Sequence, residues 1–221
     1  MTMVQSKKEV AYDYLKRAIV TCEIRPGSML DENEVAKQVG ISRTPVREAV
    51  NQLAQEGMLE IIPRKGIVVS QMTIKDIFDL LDARLTIEPD IVRKALPLLD
   101  KGSLLELRET IENKSQSDDE SIGMVGRDFD YDFHMFFALK TNNQYLIDIE
   151  RRLMMLNQRT RYLMASVRDE RPREVCREHL DIVNKLIAGD EDGAVKALEE
   201  HLNNAFLGFD ELRMAGNAVP A

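Results

Sequence analysis

After a polar start the chain takes up a helical rhythm, with Val10, Ala11, Tyr14, Leu15, Ala18 and Ile19 recurring at steps of three and four between Lys8 and Val20. Arg25-Pro26-Gly27-Ser28 breaks that rhythm. Asp31 then offers an N-cap with Glu34 at capping-box spacing, Val35, Ala36 and Val39 form an apolar face, and Gly40 closes a short second helix. Ser42 is placed to cap a third helix that carries Pro45 in its first turn and runs to Gln55 or Glu56, with Val46, Ala49, Val50 and Leu53 inward. Beyond Gly57 the period changes to two β-rich runs, Leu59–Ile62 and Ile67–Ser70. They are joined by Pro63-Arg64-Lys65-Gly66, which reads as a hairpin with a basic tip.

From Gln71 onward every segment follows the helical period, over roughly 73–97, 103–117, 121–140, 143–167, 171–188 and 190–213. Thr73 with Asp76 has capping-box spacing. Pro97 and Gly102, Thr141-Asn142-Asn143, Glu170-Arg171-Pro172 and Gly189-Asp190 mark the breaks. The pattern predicts a mostly α protein of two domains. Residues 1–72 form a winged helix-turn-helix and residues 73–221 an all-α antiparallel helical bundle, with a short junction near Ser70 to Thr73. The run from Phe129 to Phe137, like Met154, Met155 and Leu156, reads as core rather than as a cofactor pocket.

Composition narrows the picture less than the pattern does. The chain of 221 residues has 44% apolar and 31% charged residues, and no apolar run nears the roughly 20 residues that span a bilayer. The first ten residues lack the features of a secretory signal, and Cys22 and Cys176 have neither CxxC spacing nor neighbours. A cytoplasmic protein without disulfides or membrane is expected. The net charge of −8 divides unevenly: residues 1–72 hold ten Lys and Arg against nine Asp and Glu, and the remainder twenty against twenty-nine. The acidity belongs to the second domain, so it does not count against nucleic acid at the first.

In the first domain Ser42, Arg43, Thr44 and Arg47 cluster at the N-terminal end of the third helix, beyond a turn with Gly40. There a helix inserted into the major groove meets base edges and phosphates. Isolated residues of this kind are more often caps and surface charges. The preceding helix and the wing give them a second reading. The run Ile41-Ser42-Arg43-Thr44-Pro45-Val46-Arg47-Glu48-Ala49, followed by Leu53, Gly57 and a basic wing, resembles the DNA-binding domain of the GntR transcription regulators. That resemblance implies that Arg43 and Arg47 read or clamp double-stranded operator DNA, that Ser42 and Thr44 assist, and that Arg64, Lys65 and Gly66 carry the wing to the minor groove. Some members have an Arg in the helix before the turn where this chain has Asn33.

The three histidines, His134, His179 and His201, all fall on predicted helices of the second domain, and Asp130 precedes His134 by four residues on one helical face. Three imidazoles and a carboxylate suit a borderline ion such as zinc, nickel or iron better than calcium or magnesium. Separations of 45 and 22 residues make no local motif, so three unrelated core histidines are an equal reading. On the first helix of this domain the stripe Ile77, Leu81, Ile91 and Ala95 is interrupted by Arg84 and Glu88, either as an internal ion pair or with Arg84 free for an anion. The domain resembles the FCD ligand-binding domain of the FadR branch, and its six helices the VanR-type subgroup. The resemblance implies that Asp130, His134, His179 and His201 hold a divalent transition metal, zinc or nickel foremost, and that Arg84 binds a small organic acid beside it. Asn204, three residues after His201, can add a hydrogen bond to that effector or be an ordinary exposed amide. Arg151, Arg152, Arg159 and Arg161 read as a solvated or dimer face.

Together these readings predict a homodimeric regulator, not an enzyme, whose effector changes its affinity for operator DNA, as a repressor in the first instance. A sensor for which the ion itself is the signal, and more remotely a metal-dependent enzyme, are the alternatives.

Overall fold

The computed structural model describes residues 5–115, 122–164 and 172–214, with side chains over 5–115, 129–163 and 173–205. The chain divides into two compact units that meet between Thr73 and Ile74.

The first unit is built on α1 (Lys7–Val20), α2 (Glu32–Val39) and α3 (Arg43–Gln55). Its core is the stripe foreseen from the sequence, with Ala11, Leu15, Ala18, Ile19, Val46, Ala49 and Leu53 all essentially inaccessible. Helix α1 starts one residue earlier than the periodicity suggests. A reciprocal capping box fixes its start: Ser6 Oγ accepts the Glu9 amide and the Glu9 carboxylate accepts the Ser6 amide. The box expected at α2 does not form, because the Asp31 side chain accepts from the Asn33 amide rather than from that of Glu34. Ser42 stands at the N-cap of α3 with extended backbone but makes no side-chain capping bond.

The sequence pattern shows two strands, whereas the sheet has three in the order β1-β3-β2: Met29–Leu30, Gly66–Val69 and Leu59–Ile62, all antiparallel. Strand β1 has two residues, too few to display a period of two, and pairs Met29 with Val68 and Leu30 with Ile67. The wing turns tightly between β2 and β3. Arg64 at φ 65° and Gly66 at φ 115° take positive dihedrals there, and Pro63, Arg64, Lys65 and Gly66 are all exposed.

The second unit, as described, is helical throughout: α4 (Ile74–Ala95) with a 3-10 turn at Leu96–Leu98, α5 (Lys101–Ser115), α6 (Ile122–Lys140), α7 (Gln144–Met164), α8 (Pro172–Ala188) and α9 (Glu191–Met214). The helices predicted from the sequence fall on these six. One core joins Ile91, Phe129, Phe133, Phe137, Met154, Ile182, Val183, Leu198 and Leu202. Helix α4 packs against α6, α7 and α9, and α8 against α5, α6 and α9, so polar residues on their inner faces are driven toward one another. Among the described residues no helix is long and apolar enough to cross a membrane.

Candidate functional site

In the first unit, Ser42, Arg43, Thr44 and Arg47 share the exposed N-terminal end of α3, one sharp turn beyond α2. Gly40 makes that turn at φ 73°, and the amides of Gly40 and Ile41 both donate to the Ala36 carbonyl. The two arginines are not simply solvated. Glu32, at the first position of α2 and only 6% exposed, accepts from Arg43 Nε at 2.7 Å and from Arg47 Nε and Nη2 at 3.2 and 3.1 Å. Those hydrogen bonds, Arg47's foremost, hold the Glu32 carboxyl below its ordinary range against the opposing effect of burial. In the sequence Glu32 is one acid among three near Asp31; only the packing of α2 on α3 singles it out.

In the second unit, Asp130 and His134 from α6, His179 from α8 and His201 from α9 come together. All four are at most 5% exposed, and one ligand atom from each lies within 4.8 Å of all the others. Asp130 divides its oxygens. Oδ2 accepts from Asn157 Nδ2 and pairs with Arg161 Nη1, both at 2.9 Å, while Oδ1 faces His134 Nε2 at 3.7 Å and His179 Nε2 at 3.6 Å. Arg161, read from the sequence as part of a solvated face, is therefore part of this centre, and Arg159 is buried as well. A helix of alternating Arg, Met and Leu does not reveal which of its arginines turns inward.

Each of two histidines has a carboxylate behind it. His134 Nδ1 lies 2.7 Å from Glu88 Oε2, and His201 Nδ1 lies 2.7 Å from Glu178 Oε2. A carboxylate on Nδ1 fixes the ring and leaves Nε2 as the donor to a metal. His179 has no such partner. Its ring stacks on Phe133 with centroids 3.7 Å apart, and neither nitrogen has a hydrogen-bond partner among the described residues although the side chain is fully buried. Burial, with the nearby His201, keeps its pKa well below the ordinary value, so it is a neutral nitrogen donor. An orphaned buried imidazole is costly, and an ion among these four groups would satisfy it. The residues fit a divalent transition metal: three imidazole nitrogens, of which that of His134 would give up its proton to the ion, and one carboxylate oxygen, with outer carboxylates already in place.

Arg84 is 2% exposed and not free. It pairs with Glu88, as the bland reading of the i, i+4 spacing has it, and Nη2 lies 3.2 Å from His134 Nε2. A guanidinium only donates, so this contact is a hydrogen bond when the imidazole is neutral with its proton on Nδ1. Burial also opposes a charge on His134, while Glu88 and Asp130 favour one strongly enough to push its pKa up to about 9. Arg84 and a proton thus compete for Nε2. Asn204 is half-buried rather than an exposed amide, and its Nδ2 donates to Glu178 Oε1 at 2.8 Å, behind His201.

Sequence reasoning passed over Glu150. It is 1% exposed, neither oxygen has a hydrogen-bond partner among the described residues, and it lies with Glu88 and His134 in a second close group of potential ligands. Burial, with the Glu88 charge, pushes its pKa up to about 8, while Glu88 stays ionised against Arg84 and His134.

A winged helix-turn-helix joined in sequence to an all-helical unit is the arrangement of a class of transcription regulators. The family model described as bacterial regulatory proteins, gntR family, matches residues 7–69, and that of the FCD domain matches residues 79–204. The chain belongs to the GntR-family transcriptional regulators that carry an FCD domain. It is similar to the HTH-type transcriptional repressor RspR of Escherichia coli, 29% identical over 198 residues, 90% of this chain and 86% of that protein. It is also similar to the Nta operon transcriptional regulator of Aminobacter aminovorans, 29% identical over 85% of this chain and 87% of the relative. Among solved structures, E. coli McbR/YncC shares the fold with a TM-score of 0.78 at 22% identity, over 95% of this chain and all of the other. The family and these relatives are regulators of transcription, not enzymes.

Proposed function

We propose that this regulator binds operator DNA as a homodimer, and that a small carboxylate beside a divalent transition metal in the second domain changes its operator affinity. The observation that carries the sensing half is the convergence of Asp130 Oδ1 with His134, His179 and His201 around an imidazole, that of His179, with no hydrogen-bond partner among the described residues. Ser42, Arg43, Thr44 and Arg47 meet the major groove, and Arg64, Lys65 and Gly66 the minor groove. Two half-sites about one helical turn apart serve the two copies. Repression is the sign favoured by the name of the E. coli relative.

Zinc or nickel is the ion this donor set favours, held by Asp130, His134, His179 and His201, and it would supply a Lewis-acidic position for an anionic ligand. Arg84 is the residue that links ion to ligand. A metal held by Asp130, His134, His179 and His201 would occupy the His134 nitrogen that Arg84 Nη2 faces at 3.2 Å, which would leave Nη2 to bind a carboxylate. Asn204 is better placed to support Glu178 than to meet the ligand itself.

Operator fragments selected from a random duplex pool provide the assay. Arg43→Ala should weaken the selected duplex by about 1–3 kcal/mol in fluorescence anisotropy. A panel of small acids is then screened for those that raise the melting temperature of the zinc-loaded protein, and each is added to the DNA titration. A stabilising acid that leaves operator affinity unmoved at saturation overturns the sensing half, because a ligand shifts an equilibrium only through unequal binding to its two states.

A further inference from the structure

The two arginines at the start of α3 are four residues apart, so on a bare helix their charges repel and their long side chains sample many rotamers. Here one carboxylate organises both. Glu32 engages Arg43 through Nε and Nη2, each at 2.7 Å, and Arg47 through the same pair of nitrogens at 3.2 and 3.1 Å. Glu32 is buried, while the arginine side chains remain 54% and 56% exposed. The carboxylate therefore grips the inner edge of each guanidinium. The outer edge, Nη1 with the second Nη2 hydrogen, stays turned away from it, and two adjacent N–H groups of this kind match guanine O6 and N7 or two phosphate oxygens.

We propose that Glu32 is a positioning residue that presents Arg43 and Arg47 to DNA as one preorganised unit, and that it sets base discrimination at the cost of total affinity. This rests on the reading that these two arginines touch DNA. Two effects of one side chain lead there. Holding both guanidiniums by the inner edge removes rotamers in which they would reach only backbone phosphate, which carries no sequence information. Its negative charge also cancels one of the two positive charges that would attract phosphate wherever the protein lands. Removing that charge should thus help nonspecific binding while harming discrimination, opposite signs that a general loss of structure does not produce.

The test uses the full chain and the near-isosteric Glu32→Gln. The wild-type protein selects a preferred duplex from a random pool. Anisotropy then gives Kd for that duplex and for a scrambled duplex of the same composition, across a salt series. The selected-to-scrambled affinity ratio should fall at least tenfold in Glu32→Gln. Scrambled DNA should bind as well or better, with a slope of log affinity against log salt steeper by about one. Glu32→Asp, which keeps the charge on a shorter arm, should give an intermediate ratio with the wild-type slope, and it carries the test if Glu32→Gln does not fold. An unchanged ratio, or equal loss on both duplexes by a folded variant, overturns the proposal. Wild-type affinity for the selected duplex in both Arg43→Ala and Arg47→Ala overturns instead the DNA reading beneath it.

Discussion

Glu150, buried near His134, and Glu178, half-buried against His201, behave very differently. Glu150 accepts no hydrogen bond, and burial with the Glu88 charge holds its proton on to about pH 8. Since an unfolded glutamate titrates near 4.3, the folded state holds the extra proton between the two values, and stability falls as pH rises from about 4 to about 8. Urea denaturation of chelator-treated protein should show that decline in wild type and a flatter profile in Glu150→Gln. Equal slopes would remove Glu150 from the account. Glu178 is instead fully engaged, with His201 Nδ1 on one oxygen and Asn204 on the other. A glutamine there still accepts a hydrogen bond but no longer raises the basicity of His201. Glu178→Gln should weaken zinc binding about 10- to 100-fold in a competition titration, with secondary structure unchanged.

Among the elements, the link between α2 and α3 matters most for reading DNA, and its geometry rests on Gly40. The residue has φ 73° with open space where a Cβ would sit, so an alanine meets no neighbour and suffers only from the left-handed backbone. Gly40→Ala should cost about 1 kcal/mol in thermal or urea unfolding. A larger loss would mean that the turn is packed more tightly than it stands here. Helices α4, α6, α8 and α9 converge in a comparable way. Their hydrophobic stripes were legible in the chain, as Ile77, Leu81 and Ile91 on α4 and Phe129, Phe133 and Phe137 on α6 show. Asp130 and His134 were legible as a pair because i, i+4 spacing fixes a shared face whatever the helix packs against. Strand β1 was not, since two residues paired only with distant Ile67 and Val68 leave no local signal.

At the scale of the whole molecule, the four proposed ligands all lie in the second unit, on helices separated by up to 71 positions along the chain from Asp130 to His201. An ion that binds them would brace that unit. Zinc at a hundred times its Kd stabilises the state that binds it by about 2.7 kcal/mol. Hydrogen exchange should accordingly slow in α6, α8 and α9 on adding zinc and show no response in Asp130→Ala. Zinc-induced protection confined to other segments would place the ion elsewhere.

The chain by itself determined whatever depends on neighbours three or four residues away: the helices, the turn at Gly40, the basic tip of the wing, and the exposed cluster from Ser42 to Arg47. With the family resemblance it also pointed to the four residues of the polar centre. Tertiary packing alone decided which charges those residues meet. It set Glu32 against Arg43 and Arg47, turned Arg161 inward onto Asp130, placed Asn204 behind Glu178, and left His179 and Glu150 without hydrogen-bond partners. The physical reason is range. Helical periodicity is a property of consecutive backbone, whereas an ion pair or an orphaned donor depends on which helix faces are brought within a few ångströms, and residues far apart in sequence leave no mark of that on one another.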